Sequence, residues 1–122
     1  MTMQTKLLGS GLASLAAQQI VGSITTGITA AGTTQITAAA VYDDINIVST
    51  VAASSGVILP SNRSAGDTIE ITNLGANALL VYPPNGGNIA QGAANASFSL
   101  PVSKTAIMRL VSPTQWTLVL SA

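Results

Sequence analysis

The chain contains no cysteine and no histidine. Disulfide frameworks, thiolate chemistry, imidazole-held zinc and every histidine-based triad are therefore excluded. Charge is scarce as well. Four basic residues (Lys6, Arg63, Lys104, Arg109) and four acidic ones (Asp43, Asp44, Asp67, Glu70) make up 7% of the 122 residues, against roughly 25% in ordinary soluble domains. The net charge of zero leaves no basic footprint for a nucleic acid and no field to steer an ionic substrate. Aromatic residues are few, and Tyr42, Tyr82, Phe98 and Trp116 do not interleave with cations as a base-stacking platform requires. No apolar run approaches the ~18–20 residues of a membrane span, so none is expected.

What fills the chain is Ala, Ser, Thr, Gly, Asn and Gln, with an ordinary 48% of hydrophobic residues. A surface near zero charge has little self-repulsion to keep copies apart. Such a chain suits a working life packed against other chains. At this length it holds one ordinary domain and an arm.

The N-terminus resembles a secretory signal only superficially. Lys6 precedes an apolar run, but the run is short, holds Gly9 and Gly11, and has a single charge before it. Read as an arm, it places Leu8, Leu12 and Leu15 at i, i+4 and i+7, on one helical face. Each glycine costs roughly 1 kcal/mol in a helix, so the segment is expected to order by laying its leucines on another surface. Leu8, Leu12, Leu15 and Ile20 are the candidate contact residues of this arm. From Gly22 to Ala40 the sequence approaches low complexity, with Ile-Thr recurring at 24, 28 and 36. It reads as a linker leading to a first strand at about 34–40, so the arm is assigned 1–32 and a β domain 33–122.

The β domain reads as short strands between turns. Residues 44–51 alternate, 57–59 form a brief apolar run stopped by Pro60, and Asp67–Asn73 puts Ile69 and Ile71 on one face. The apolar run 77–82 is expected to be covered on both faces. The loop Asn73-Leu74-Gly75-Ala76-Asn77 between these two suggests that 67–82 is a hairpin. Three further strands follow at 96–100, 105–111 and 115–120, separated by Pro101 and Pro113, with Trp116 anchoring the core. This spacing predicts a mainly β fold, a small antiparallel sandwich or jelly-roll-like barrel behind an N-terminal arm, helical or extended.

The search for chemistry returns little. Asp43-Asp44 lacks the further oxygen ligands of a calcium loop, and Asp67 and Glu70, an odd number apart, point to opposite sides of a strand. Serine and threonine nucleophiles have only Lys6 and Lys104 as bases, and adjacent Ser103 and Lys104 diverge on an extended chain. No phosphate-binding glycine loop is present. The chain is therefore expected not to be an enzyme, with no catalytic, cofactor-binding or metal residues. What remains is surface: the uncharged polar loops 52–56, 61–66 and 82–88.

The string Gly66-Asp67-Thr68-Ile69-Glu70-Ile71-Thr72-Asn73-Leu74-Gly75-Ala76-Asn77-Ala78-Leu79-Leu80-Val81-Tyr82-Pro83-Pro84, followed by Gly87-Asn88-Ile89, resembles small virion proteins of tailed bacteriophages. The close Ser112-Pro113-Thr114-Gln115-Trp116 is similar too. The resemblance covers about 34–122 and rests on turn and strand patterns. It implies a β-rich homotrimer made in the bacterial host cytoplasm and carried on the virion. The size fits a capsid decoration (cement) protein on the capsid exterior, with the major capsid protein as its partner. The alternative is a tail-fibre or spike tip that binds a cell-surface glycan through its polar loops.

Overall fold

The computed structural model describes residues 23–121. The arm residues Leu8, Leu12, Leu15 and Ile20 lie outside them. Ten strands are present among the described residues: β1 Ile24–Thr29, β2 Ala39–Ala40, β3 Ile45–Thr50, β4 Gly56–Ile58, β5 Thr68–Asn73, β6 Leu79–Tyr82, β7 Asn88–Ile89, β8 Phe98–Leu100, β9 Thr105–Leu110 and β10 Gln115–Leu120. They form a six-stranded sheet, β1-β3-β5-β9-β10-β7, and a four-stranded sheet, β2-β4-β6-β8. The fold is mainly β, as expected, and no helix occurs among the described residues.

Successive strands alternate between the sheets. β1, β3 and β5 lie parallel in the larger one, while β2, β4 and β6 lie parallel in the smaller. The chain thus winds through three stacked coils, with Ile45 beside Ile24 and Glu70 beside Ile45. Direction then reverses: β8 runs antiparallel to β6 and β9 antiparallel to β5, and β10 folds back on β9. The last coil therefore lends its outer edges to returning strands. Covering the final coil in this way protects edges that a stack of parallel strands otherwise exposes.

Four expectations are corrected by this path. The pairing is mixed rather than antiparallel, with β7 also parallel to β10. Residues 67–82 are not a hairpin: β5 and β6 belong to different sheets, and 74–78 form an arch between them. An arch of this kind uses the same left-handed-tolerant residues as a hairpin, so loop composition could not separate the two. The stretch read as a linker contains β1, because the free edge of β3 supplies hydrogen bonds that the sequence's Gly27 and alanines do not advertise. The strand placed at 34–40 shrinks to Ala39–Ala40, with turns before it.

The core fills the space between the sheets. Val48, Ile69, Ile71, Met108 and Trp116 from the larger sheet join Val57, Leu79, Val81 and Leu100 from the smaller in one cluster. Trp116 is 1% exposed, which bears out its expected anchoring role. Two asparagines also point inward. Asn73 donates to the carbonyls of Asn77 (2.9 Å) and Leu100 (3.1 Å) and accepts from the Gly75 amide (2.9 Å). It thereby ties the β5–β6 arch to the returning strand β8. Asn46 donates to the carbonyls of Asp43 (2.8 Å) and Glu70 (3.4 Å), across the β3–β5 seam. Gly75 completes the arch by close approach: a β-carbon there would lie 2.5 Å from Val51 Cγ2 and 2.7 Å from its backbone nitrogen.

Candidate functional site

The carboxylates examined for chemistry turn out to hold turns together. Asp44 pairs with Arg63 (Nη1 to Oδ1, 2.5 Å) and accepts from the Ser23 amide at 3.2 Å. Arg63 also donates to the Tyr42 carbonyl at 2.6 Å, which staples the β4–β5 loop to the β2–β3 turn. Asp43 accepts from the Thr25 hydroxyl, and Asp67 accepts from the Ser64 amide at 3.0 Å. Ser103 sits in a turn at φ 65° with its amide on the Asn73 carbonyl (2.8 Å). Among the described residues, no three acidic groups converge in a way that would hold a metal ion.

Two surfaces stand out instead. The first is the outer face of the six-stranded sheet. Pairing sets Ile24 beside Ile45, Ile45 beside Glu70, Glu70 beside Ile107, and Ile107 beside Val119. Partners in a sheet share a face, so these five residues form one lateral row across β1, β3, β5, β9 and β10. At ~4.8 Å per strand the row is about 19 Å long. Ile24, Ile107 and Val119 are 62%, 46% and 68% exposed. A neighbouring row carries Ile47, Thr72 and Thr105, with the two threonine hydroxyls 2.8 Å apart. On the other side lie Thr68, Arg109 and Thr117. This face holds isoleucine, valine and hydroxyls, with Glu70 and Arg109 as its charges.

The alternation along β3 was legible, but its sense was not. Asn46 and Val48 face the core and Ile45 and Ile47 face outward, opposite to what hydrophobicity suggests. Inside, the Asn46 side-chain amide donates to two backbone carbonyls while its buried Oδ1 has no hydrogen-bond partner, and Ile45 and Ile47 are half-buried on the outer face.

The second surface is an open groove of about 330 Å³ along the turns that follow β2, β4 and β6. Val41, Tyr42, Leu59, Pro60, Pro84 and Asn85 line it. Tyr42 is 73% exposed at its rim. The polar loops singled out in the sequence divide between the two ends of the coils: 61–66 and 82–88 flank this groove, whereas 52–56 joins β3 to β4 at the other end. Tyr82, in one of those loops, is buried and donates its hydroxyl to the Thr33 carbonyl at 3.2 Å. In the groove, Pro84 is half-buried and Asn85 is exposed.

Among the described residues no helix is long and apolar enough to cross a membrane. Compared with known proteins, the chain matches no protein-family model and no curated relative.

Proposed function

We propose that this chain is a structural protein of a bacteriophage particle, a capsid decoration protein that binds the assembled shell and stabilises it. The observation that carries this reading is the outer face of the six-stranded sheet, where large apolar residues stand open to solvent around two charges, Glu70 and Arg109, as suits a chain packed with other chains in a particle. Such a face gains by being covered by protein, at roughly 25 cal/mol per Å² of apolar surface removed from water. The sequence resemblance to small virion proteins points the same way. The two facing sheets act here as a compact sandwich-like body, and three copies around a shell junction would present three arms. Leu8, Leu12, Leu15 and Ile20 of each arm would contact the major capsid protein on the exterior of the particle.

The mechanism is linkage. A protein that binds the assembled shell but not its dissociated subunits stabilises the shell by mass action, and three linked attachments dissociate far more slowly than one. No reaction is involved. The test is co-sedimentation of the purified chain with shells that lack it. Binding is expected, and substitution of Leu8, Leu12 and Leu15 by Ser is expected to abolish it while the circular dichroism spectrum stays that of the wild type. Wild-type protein that remains in the supernatant overturns the reading.

A second reading is favoured by Tyr42. Its exposed ring beside Pro84 and Asn85 suits stacking against a sugar, as in a fibre-tip module that binds a cell-surface glycan. Glycan-array binding that is lost in Tyr42→Ala would favour that reading over the first.

A further inference from the structure

The row across the six-stranded sheet is more specific than an exposed apolar patch. Glu70 and Arg109 stand on adjacent central strands, Glu70 opposite Ile107 and Arg109 opposite Thr68, so the two charges are diagonal neighbours. They do not pair with each other: among the described residues, the ion pair is Arg63 with Asp44. Covering this face with a partner of one charge sign would leave either Glu70 or Arg109 desolvated and uncompensated, which is strongly unfavourable. A partner that brings one acid and one base in the same spacing satisfies both. The same face of a second copy has that composition. Each copy also brings its own Ile24, Ile107 and Val119, and the chain's zero net charge leaves little repulsion to oppose the approach.

We propose that the outer face of the six-stranded sheet is the interface between copies of this chain, with Glu70 of one copy pairing with Arg109 of the next. Apolar residues of the row flank that pair and exclude water from it, so the charges set register while Ile24, Ile107 and Val119 supply area. The inference rests on the self-association part of the function proposed above and not on the shell. It is tested on the purified full-length chain alone.

The experiment is sedimentation equilibrium over a wide concentration range, with circular dichroism and a thermal melt for each variant. The wild type is expected to be oligomeric. Val119→Lys, at a position mostly in solvent, is expected to weaken association at least about tenfold with an unchanged melt of the dissociated chain. Glu70→Arg and Arg109→Glu are each expected to weaken it, and the double reversal to restore it. If Val119→Lys misfolds, Ile24→Lys on the edge strand gives the same reading. A monomeric wild type overturns the proposal and points to residues 1–22, with their leucines and Lys6, as the cover. An oligomer indifferent to all of these changes overturns it as well, since the interface must then lie elsewhere. An oligomer that depends on this face yet ignores shells upholds the interface and removes the shell reading.

Discussion

Replacing Asn73 by Ala removes a side chain that is wholly buried and bonded to three backbone groups: the Gly75 amide and the carbonyls of Asn77 and Leu100. Asn77 is exposed, so its carbonyl recovers a bond from water at little cost. Gly75 is buried and its freed amide has no replacement, whereas the Leu100 carbonyl loses one of two partners, since Leu100 is also paired with Leu79 in the β6–β8 ladder. A buried backbone amide left unpaired costs about 1–3 kcal/mol and the lost bond to Leu100 about 1 kcal/mol more, about 2–4 kcal/mol together. A loss of about 3 kcal/mol is a large part of the ~5–15 kcal/mol of a typical small domain. For a domain of this size it lowers Tm by about 15 °C or more. The assay is urea and thermal unfolding followed by Trp116 fluorescence and far-ultraviolet circular dichroism. Thr72→Ala serves as control. Its hydroxyl bonds Thr105 on the outer face, half in solvent, so the loss is expected to stay near or below 1 kcal/mol. Equal losses for Asn73→Ala and Thr72→Ala would refute the reasoning that Asn73 fastens the arch to the returning strand.

Other positions discriminate further. Gly75→Ala is expected to cost about 1–3 kcal/mol, because the added carbon meets both the short branched side chain of Val51 (Cγ2 at 2.5 Å) and its backbone nitrogen (2.7 Å), neither of which can swing aside. Gly86→Ala, with open space but φ of 85°, is expected to cost about 1 kcal/mol from backbone strain alone; urea midpoints compare the two. Trp116→Ala is expected to lose about 3–5 kcal/mol, read by calorimetry since the fluorescence reporter goes with it. Arg63→Ala removes the pair with Asp44 and the bond to the Tyr42 carbonyl and is expected to cost about 1–3 kcal/mol, the ion-pair share shrinking with added salt.

Strand positions were legible in the sequence because punctuation is local. Pro60, Pro101 and Pro113 mark where ladders stop, and the period of Ile69 and Ile71 marks a half-buried strand. Partners were not legible, because pairing depends on what lies across the core. Asn73-Leu74-Gly75-Ala76-Asn77 closes a hairpin or an arch equally well; β5 and β6 instead pair with strands of separate sheets, and Asn73's inward bonds to Asn77 and Leu100 fasten the arch. β1 was hidden by its own composition: Ile-Thr-Thr-Gly-Ile-Thr becomes a strand because β3 offers an edge, an effect of tertiary context over propensity. β2 and β7, at two residues each, are too short to show any period.

The outer face was hidden for a related reason. Ile24, Ile45, Glu70, Ile107 and Val119 are dispersed over 96 positions, from 24 to 119, and become a row only through register. The charges Glu70 and Arg109 were visible as residues but not as neighbours. Tyr42 was visible as an aromatic, yet only its exposure beside Pro84 and Asn85 marks the groove. The absence of cysteine and histidine, by contrast, was evident at once, since no folding can supply a missing residue type.

Cryo-electron microscopy of particles with and without this chain tests its central role most directly. Regular density of this β body on the capsid exterior is predicted, together with a shell that opens at lower temperature when the chain is absent. Density confined to the tail, or a shell whose opening temperature does not change, would contradict the decoration role.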